Sequence, residues 1–178
     1  MIVSIHQPNY IPWVGFFNKI LSSNVYVVFD DVQFPRGKDY ANRNQIKTNN
    51  GKKWLTVPVK GKSQLRPWNE IEINNNGWVE QSFYKKSDYF TEYYPKLKNI
   101  YLKEHTKLIE LNLDLIKYIL KILNSDTDII ISSDIKTEKQ GMEKILHILK
   151  ELNATTYISG SGDGSKRYIE ENLFKKNN

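Results

Sequence analysis

Ile2-Val3-Ser4-Ile5-His6-Gln7-Pro8-Asn9-Tyr10-Ile11-Pro12-Trp13-Val14-Gly15-Phe16-Phe17-Asn18-Lys19-Ile20-Leu21, followed closely by Val25-Tyr26-Val27-Val28-Phe29-Asp30-Asp31, decides the fold class. Ile2 to Ile5 is a β-branched apolar run ending at His6, and Val25 to Phe29 is another ending at Asp30 and Asp31. Both read as strands buried on two faces. Between them lies a polar turn, Gln7 to Ile11. Pro12 suits the first helical position, and Trp13, Phe16, Phe17, Ile20 and Leu21 make one apolar stripe. A strand, helix, strand crossover is right-handed in nearly all proteins, which puts both strand ends and the helix start at one edge of a parallel sheet. His6, Asn9 and Asp30 or Asp31 are therefore expected to line one cleft there. Trp13, Phe16, Phe17 and Ile20 are expected to face the core.

Further along, Gln33 to Gly51 is polar and turn-rich, a loop or a lid, leading to a strand over Lys53 to Val59. Gly61 to Asn76 reads as an extended excursion with a short strand near Glu70 to Ile73. Val79 to Asn124 turns helical, with Leu108, Leu111, Leu115, Ile119 and Ile122 three or four apart. Asp128 to Ser132 is a buried strand, Glu138 to Leu152 an amphipathic helix, and Thr155 to Ile158 a strand meeting a Gly-rich run. A last helix is expected from near Lys166. The fold class is α/β: an open, mostly parallel, doubly wound sheet. One domain over 1–178 is expected, with a mainly helical insertion around 79–124.

With 178 residues, 39% of them hydrophobic and 26% charged, the chain can build a core. It has no cysteine, which excludes disulfides, Cys-ligated zinc, iron–sulfur clusters and a thiol nucleophile. The N-terminus lacks a basic segment followed by a long apolar run, and nowhere do about 18 apolar residues follow one another. The expectation is a cytoplasmic protein without membrane insertion. The charge of +6 rests mostly on dispersed lysines, which mark a solvated surface better than a nucleic-acid face, so nucleic acid ranks last among partners. The few arginines, Arg36, Arg43, Arg66 and Arg167, suit planar, bidentate recognition.

Four constellations could carry chemistry. At the end of the first strand, His6 could serve as base or phosphate donor, with Gln7, Asn9 and Tyr10 as substrate contacts. A capping turn is the plain alternative. Asp30 and Asp31, followed by Gln33, could bind a sugar hydroxyl or orient His6. They could also hold a divalent cation, although no metal is predicted, and a solvated charge pair is the alternative. Asn42, Arg43, Asn44 and Lys47 combine amides with cations, as phosphate, carboxylate or sugar recognition needs; a polar surface loop is the equal alternative. Ser159 and Gly160, with Arg167 beyond, stand between strand and helix as phosphate cradles do, but lack the P-loop spacing, and a tight strand-to-helix turn is the alternative. His105 and His147 read as ordinary helix residues. The sequence names no cofactor.

Five ordered blocks carry a resemblance: His6 to Phe17; Asp30-Asp31-Val32-Gln33-Phe34; Asn42-Arg43-Asn44 with Lys47; Leu55-Thr56-Val57-Pro58-Val59; and Tyr157-Ile158-Ser159-Gly160 leading to Tyr168 and Phe174. Together they resemble the WbqC-like family. The resemblance implies a role in making bacterial O-antigen or related surface polysaccharides. It points to a transferase acting on a nucleotide-activated or amino sugar, moving an acyl, aminoacyl or related group. The small-molecule partner would then be a nucleotide-sugar or acyl donor. A non-catalytic nucleotide-sugar or carrier-binding module is the alternative. Family members run further beyond the last helix, which implies a shorter or truncated member here. The layout of Pro8 to Phe16 is also similar to the H-x-G-H turn of nucleotidyltransferases, but Trp13 and Phe16 replace its histidines. Those rings cannot donate to a phosphoryl transition state as imidazoles do.

Overall fold

Alternation along the first two strands sorts their side chains onto two faces, and each face finds a helix. The computed structural model describes residues 1–37, 39–48, 51–74 and 89–160. The chain divides into two compact units: Met1–His6, Trp13–Phe29 and Ser125–Asn178 form the first, and Gln7–Pro12 with Asp30–Asn124 the second.

The first unit is built on strands β1 (Ile2–His6), β2 (Val25–Val28), β5 (Asp128–Ile131) and β6 (Thr156–Ile158). They form a parallel sheet in the order β5-β2-β1-β6. Helix α1 (Val14–Leu21) connects β1 to β2, and helix α4 (Gly141–Glu151) connects β5 to β6. Val3, Ile5, Val25 and Val27 pack against Ile145, Ile148 and Leu149 of α4. On the other face Phe16 of α1 meets the Tyr26 ring edge-on, 5.7 Å between centroids. The expected open, doubly wound α/β sheet is what the chain forms. Asn24 fixes the sheet's amino edge: its Oδ1 accepts from Ile2 N at 2.8 Å, its N donates to Ile2 O at 2.8 Å, and its O accepts from Asp128 N at 3.0 Å.

The helix stripe needs one correction. Pro12 is not helical; Trp13 is the N-cap and α1 begins at Val14. Phe16, Phe17 and Ile20 are buried as their spacing predicts, but Trp13 is 48% exposed and Leu21 44%, so neither end of the stripe belongs to the core.

In the second unit, the polar stretch expected to be a loop contains strand β3 (Arg43–Thr48), paired antiparallel with β4 (Gly51–Thr56) from Arg43↔Thr56 to Thr48↔Gly51. Ile46 is its one buried residue, so the hairpin offers little alternation to read. The short strand expected near Glu70 to Ile73 does not form: a 3-10 turn over Trp68–Glu70 precedes it, and Glu72 and Ile73 make only isolated bridges, to Lys107 and Val59. Helices α2 (Phe90–Leu102) and α3 (Leu108–Ile122) follow, while residues 79–88 of the expected helical stretch lie outside the described residues. At the start of α3 the Glu110 carboxylate accepts from Thr106 N at 2.9 Å and Lys107 N at 3.0 Å, satisfying amides the helix leaves open. Leu108, Leu111 and Leu115 close over Tyr10, Phe34, Ala41, Val57, Trp68 and Ile71. His105 lies between α2 and α3 rather than within a helix; it is buried, 3.0 Å from Asp114 Oδ2.

Candidate functional site

β1 and β2 run in parallel with His6 opposite Val28, so their carboxyl ends share one edge of the sheet. His6 is half-buried there. Its ring meets Phe16 edge-on at 5.1 Å and Trp13 at 5.8 Å, so imidazole, indole and phenyl form one aromatic group at the start of α1. The Trp13 ring lies back over the first turn of that helix. A Cβ at Gly15 would sit 3.0 Å from Trp13 Nε1, so the glycine leaves the space that the indole fills. Tyr26 Oη donates to His6 O at 3.2 Å and Phe29 N donates to the same oxygen at 2.9 Å. The His6 backbone is thus fixed from the β2 side. This edge combines a half-buried imidazole with a half-exposed indole, a pairing suited to an aromatic or sugar face beside a proton-transferring group.

Lys19 was not singled out from the sequence, because one lysine in an amphipathic helix carries no signal. It is 8% exposed, and its Nζ donates to Ile5 O at 3.0 Å. Desolvation lowers its pKa from 10.5 to about 8. Between about pH 8 and 10.5 the unfolded chain therefore binds more protons than the folded one at this residue, so the penalty of burying the ammonium is relieved as pH rises through that window. Relative to Lys19→Met, the wild-type chain should gain up to about 3 kcal/mol across it, with a constant difference below pH 8. Urea unfolding of both proteins from pH 7 to 10.5 reads this directly. A difference that stays flat would place a protonated, unpenalised lysine at the site.

In the second unit the turn Gln7–Pro12 is held at many points. Asn112 of α3, wholly buried, donates from Nδ2 to Pro8 O at 2.6 Å and to Ala41 O at 3.1 Å. Tyr10 N donates to Tyr40 O at 3.0 Å, Asn44 Nδ2 donates to Ile11 O, and the Tyr10 and Tyr101 hydroxyls bond at 2.8 Å. Burial, then Tyr101, raises the Tyr10 pKa well above its ordinary value. Ile11 has φ +42°, a region that a β-branched residue enters only when its surroundings impose it. Asn112 stands about a hundred positions away in the chain, so no local pattern could reveal its role.

The remaining expected residues divide by environment. Asp30 is buried, and its Oδ2 accepts from Asn69 Nδ2 at 3.2 Å, whereas Asp31 is half-buried. Exposed Gln33 donates from Nε2 to Phe34 O at 3.0 Å. Asn9 is almost buried, and its side-chain amide makes no hydrogen bond with any described residue. Asn42 Nδ2 donates to Val57 O at 2.8 Å, and its Oδ1 accepts from Lys62 Nζ at 2.9 Å. Arg43 lies over the Trp54 ring, 4.3 Å from its centroid, and Lys47 is exposed opposite Lys52. In the first unit Ser159 and Gly160 directly follow β6, half-buried. Arg167 and the helix expected near Lys166 lie outside the described residues. Among the described residues, no three His, Asp or Glu side chains gather as a metal site would require. No helix among them is long and apolar enough to cross a membrane.

The WbqC-like family model matches residues 7–178. The chain belongs to the WbqC-like protein family. An uncharacterized protein of Mycobacterium tuberculosis, Rv1507c, is 33% identical over 180 residues, covering 97% of this chain and 77% of that protein. No solved structure was found to match. The five sequence blocks that resembled the WbqC-like family thus belong to a member of it, and the first of them contributes His6, Trp13 and Phe16 to the sheet's carboxyl edge.

Proposed function

We propose that this WbqC-like protein is a transferase of bacterial surface-polysaccharide biosynthesis, taking a nucleotide-activated or amino sugar at the carboxyl edge of its parallel sheet. The single observation that carries this reading is the aromatic group at that edge. Half-buried His6 stands beside half-exposed Trp13 where β1 passes into α1, the position at which open α/β sheets bind ligands. In this reading the indole face stacks on the sugar or base, and His6 accepts the proton of the attacking group or donates to a phosphate. Ser159 and Gly160 are proposed to contact phosphate from the end of β6. The second unit is proposed separately to offer Asp31, with Asp30 before it in the chain, as a hydroxyl ligand. Within that unit Gln7, Asn9, Tyr10, Gln33, Asn42, Arg43, Asn44 and Lys47 are proposed either to contact a ligand or to shape the segments that do. The O-antigen pathway itself enters through the family resemblance.

Donor binding and donor consumption, followed on the full chain with a panel of nucleotide-sugars, test the proposal. His6→Gln is expected to lower turnover by about 10²–10⁴ while leaving donor affinity within about threefold, as loss of a general base does. A wild-type chain that binds donor without consuming it establishes the binding-module alternative. A chain that binds none of the nucleotide-sugars removes this function.

A further inference from the structure

The carbonyls of β1 alternate in direction. Met1 O accepts from Thr155 N on the β6 side, whereas Ile2 O accepts from Asn24 N and His6 O from Phe29 N on the β2 side. Ile5 O therefore faces the β6 side. Pairing between β1 and β6 stops one residue earlier, at Ser4↔Ile158. The acceptor that the ladder leaves open is taken by the Lys19 ammonium at 3.0 Å, reaching from α1 to the carboxyl end of the strand.

A neutral amide or hydroxyl would satisfy that carbonyl. Lys19 brings a full charge and two further N–H donors, and among the described residues no other hydrogen bond or carboxylate partner meets them. Burying an ammonium without a counter-charge is costly. The cost is visible in the lowered pKa, whose one cause is desolvation. An anion arriving at this edge would supply both the missing charge and the missing acceptors. A second lysine stands on the other face of the sheet: Lys144 of α4 is buried, its Nζ 5.9 Å from the ring centroid of Phe29, just past the end of β2. A lysine of each flanking helix thus stands near the carboxyl edge.

We propose that Lys19 is a ligand for a phosphate-type anion bound at the carboxyl ends of β1 and β6, beside Ser159 and Gly160. The site deepens the proposed function by assigning the group that holds the donor's phosphate. Inorganic pyrophosphate tests it without assuming which donor is used.

The experiment titrates pyrophosphate into the full chain at constant ionic strength, by calorimetry and by NMR of 13Cε-labelled lysine. Wild type is expected to bind saturably with movement of the Lys19 Cε resonance. Lys19→Met should weaken binding by about tenfold or more, and Lys19→Arg should restore part of it. Absence of saturable binding to wild type, or a Lys19→Met affinity within about twofold of wild type, overturns the site. If Lys19→Met does not fold, the wild-type spectrum decides: a Lys19 Cε resonance unmoved at saturation overturns the site. Pyrophosphate binding without nucleotide-sugar binding leaves the anion site standing and removes the donor reading. Nucleotide-sugar binding that Lys19→Met does not weaken does the reverse.

Discussion

Phe16→Ala is expected to lower the unfolding free energy by about 3–5 kcal/mol, the range for removing a wholly buried aromatic ring. Phe16 is 1% exposed and stands edge-on to four rings at once, His6 at 5.1 Å, Phe17 at 5.4 Å, Tyr26 at 5.7 Å and Trp13 at 6.0 Å. Its loss opens a cavity directly beneath the imidazole. Chemical denaturation measures the stability term, and the His6 ring resonances measure the local one. Phe16→Leu, which refills most of the volume, should recover much of the stability but not the edge-on ring contact with His6. A Phe16→Ala protein destabilised by less than about 1 kcal/mol would mean that α1 does not pack on the sheet as described.

The second large effect is expected at Asn112. Asn112→Ala removes the donor to Pro8 O and Ala41 O together, leaving two carbonyls without their partner in a wholly buried environment. Each such loss costs about 1–3 kcal/mol, so a total of about 2–6 kcal/mol is expected. The change should also release the Gln7–Pro12 turn, because Ile11 keeps its positive φ only while the surrounding bonds impose it. Hydrogen exchange at the Tyr10 amide, which donates to Tyr40 O, reports that release. Stability and exchange both close to wild type would show that water takes over the two carbonyls and that the turn holds its own shape.

The sheet was legible in the sequence because parallel strands buried on both faces leave apolar runs, unbroken from Val25 to Val28 and interrupted only by Ser4 from Ile2 to Ile5. Trp13 was misread for a related reason: helical periodicity assigns a face but not the residue at which the helix emerges from the core, and Trp13 sits at that exit. The β3–β4 hairpin was hidden because its sides present Arg43, Gln45, Lys47, Lys52 and Trp54 to solvent or half-exposed, so composition there signals a loop. At the candidate site, His6 could be read from its place after a strand. Lys19 and Asn112 could not, since one is a lysine among many and the other bonds across 104 and 71 positions of chain.

The central claim is that an activated sugar binds at the carboxyl edge of the parallel sheet, against His6 and Trp13. Side-chain NMR of the His6 imidazole and Trp13 indole, recorded while the full chain is titrated with a nucleotide-sugar that calorimetry shows to bind, tests it most directly. The account predicts saturable shifts of both rings with the same dissociation constant as the calorimetric titration. Saturable binding that leaves both rings unmoved would contradict it.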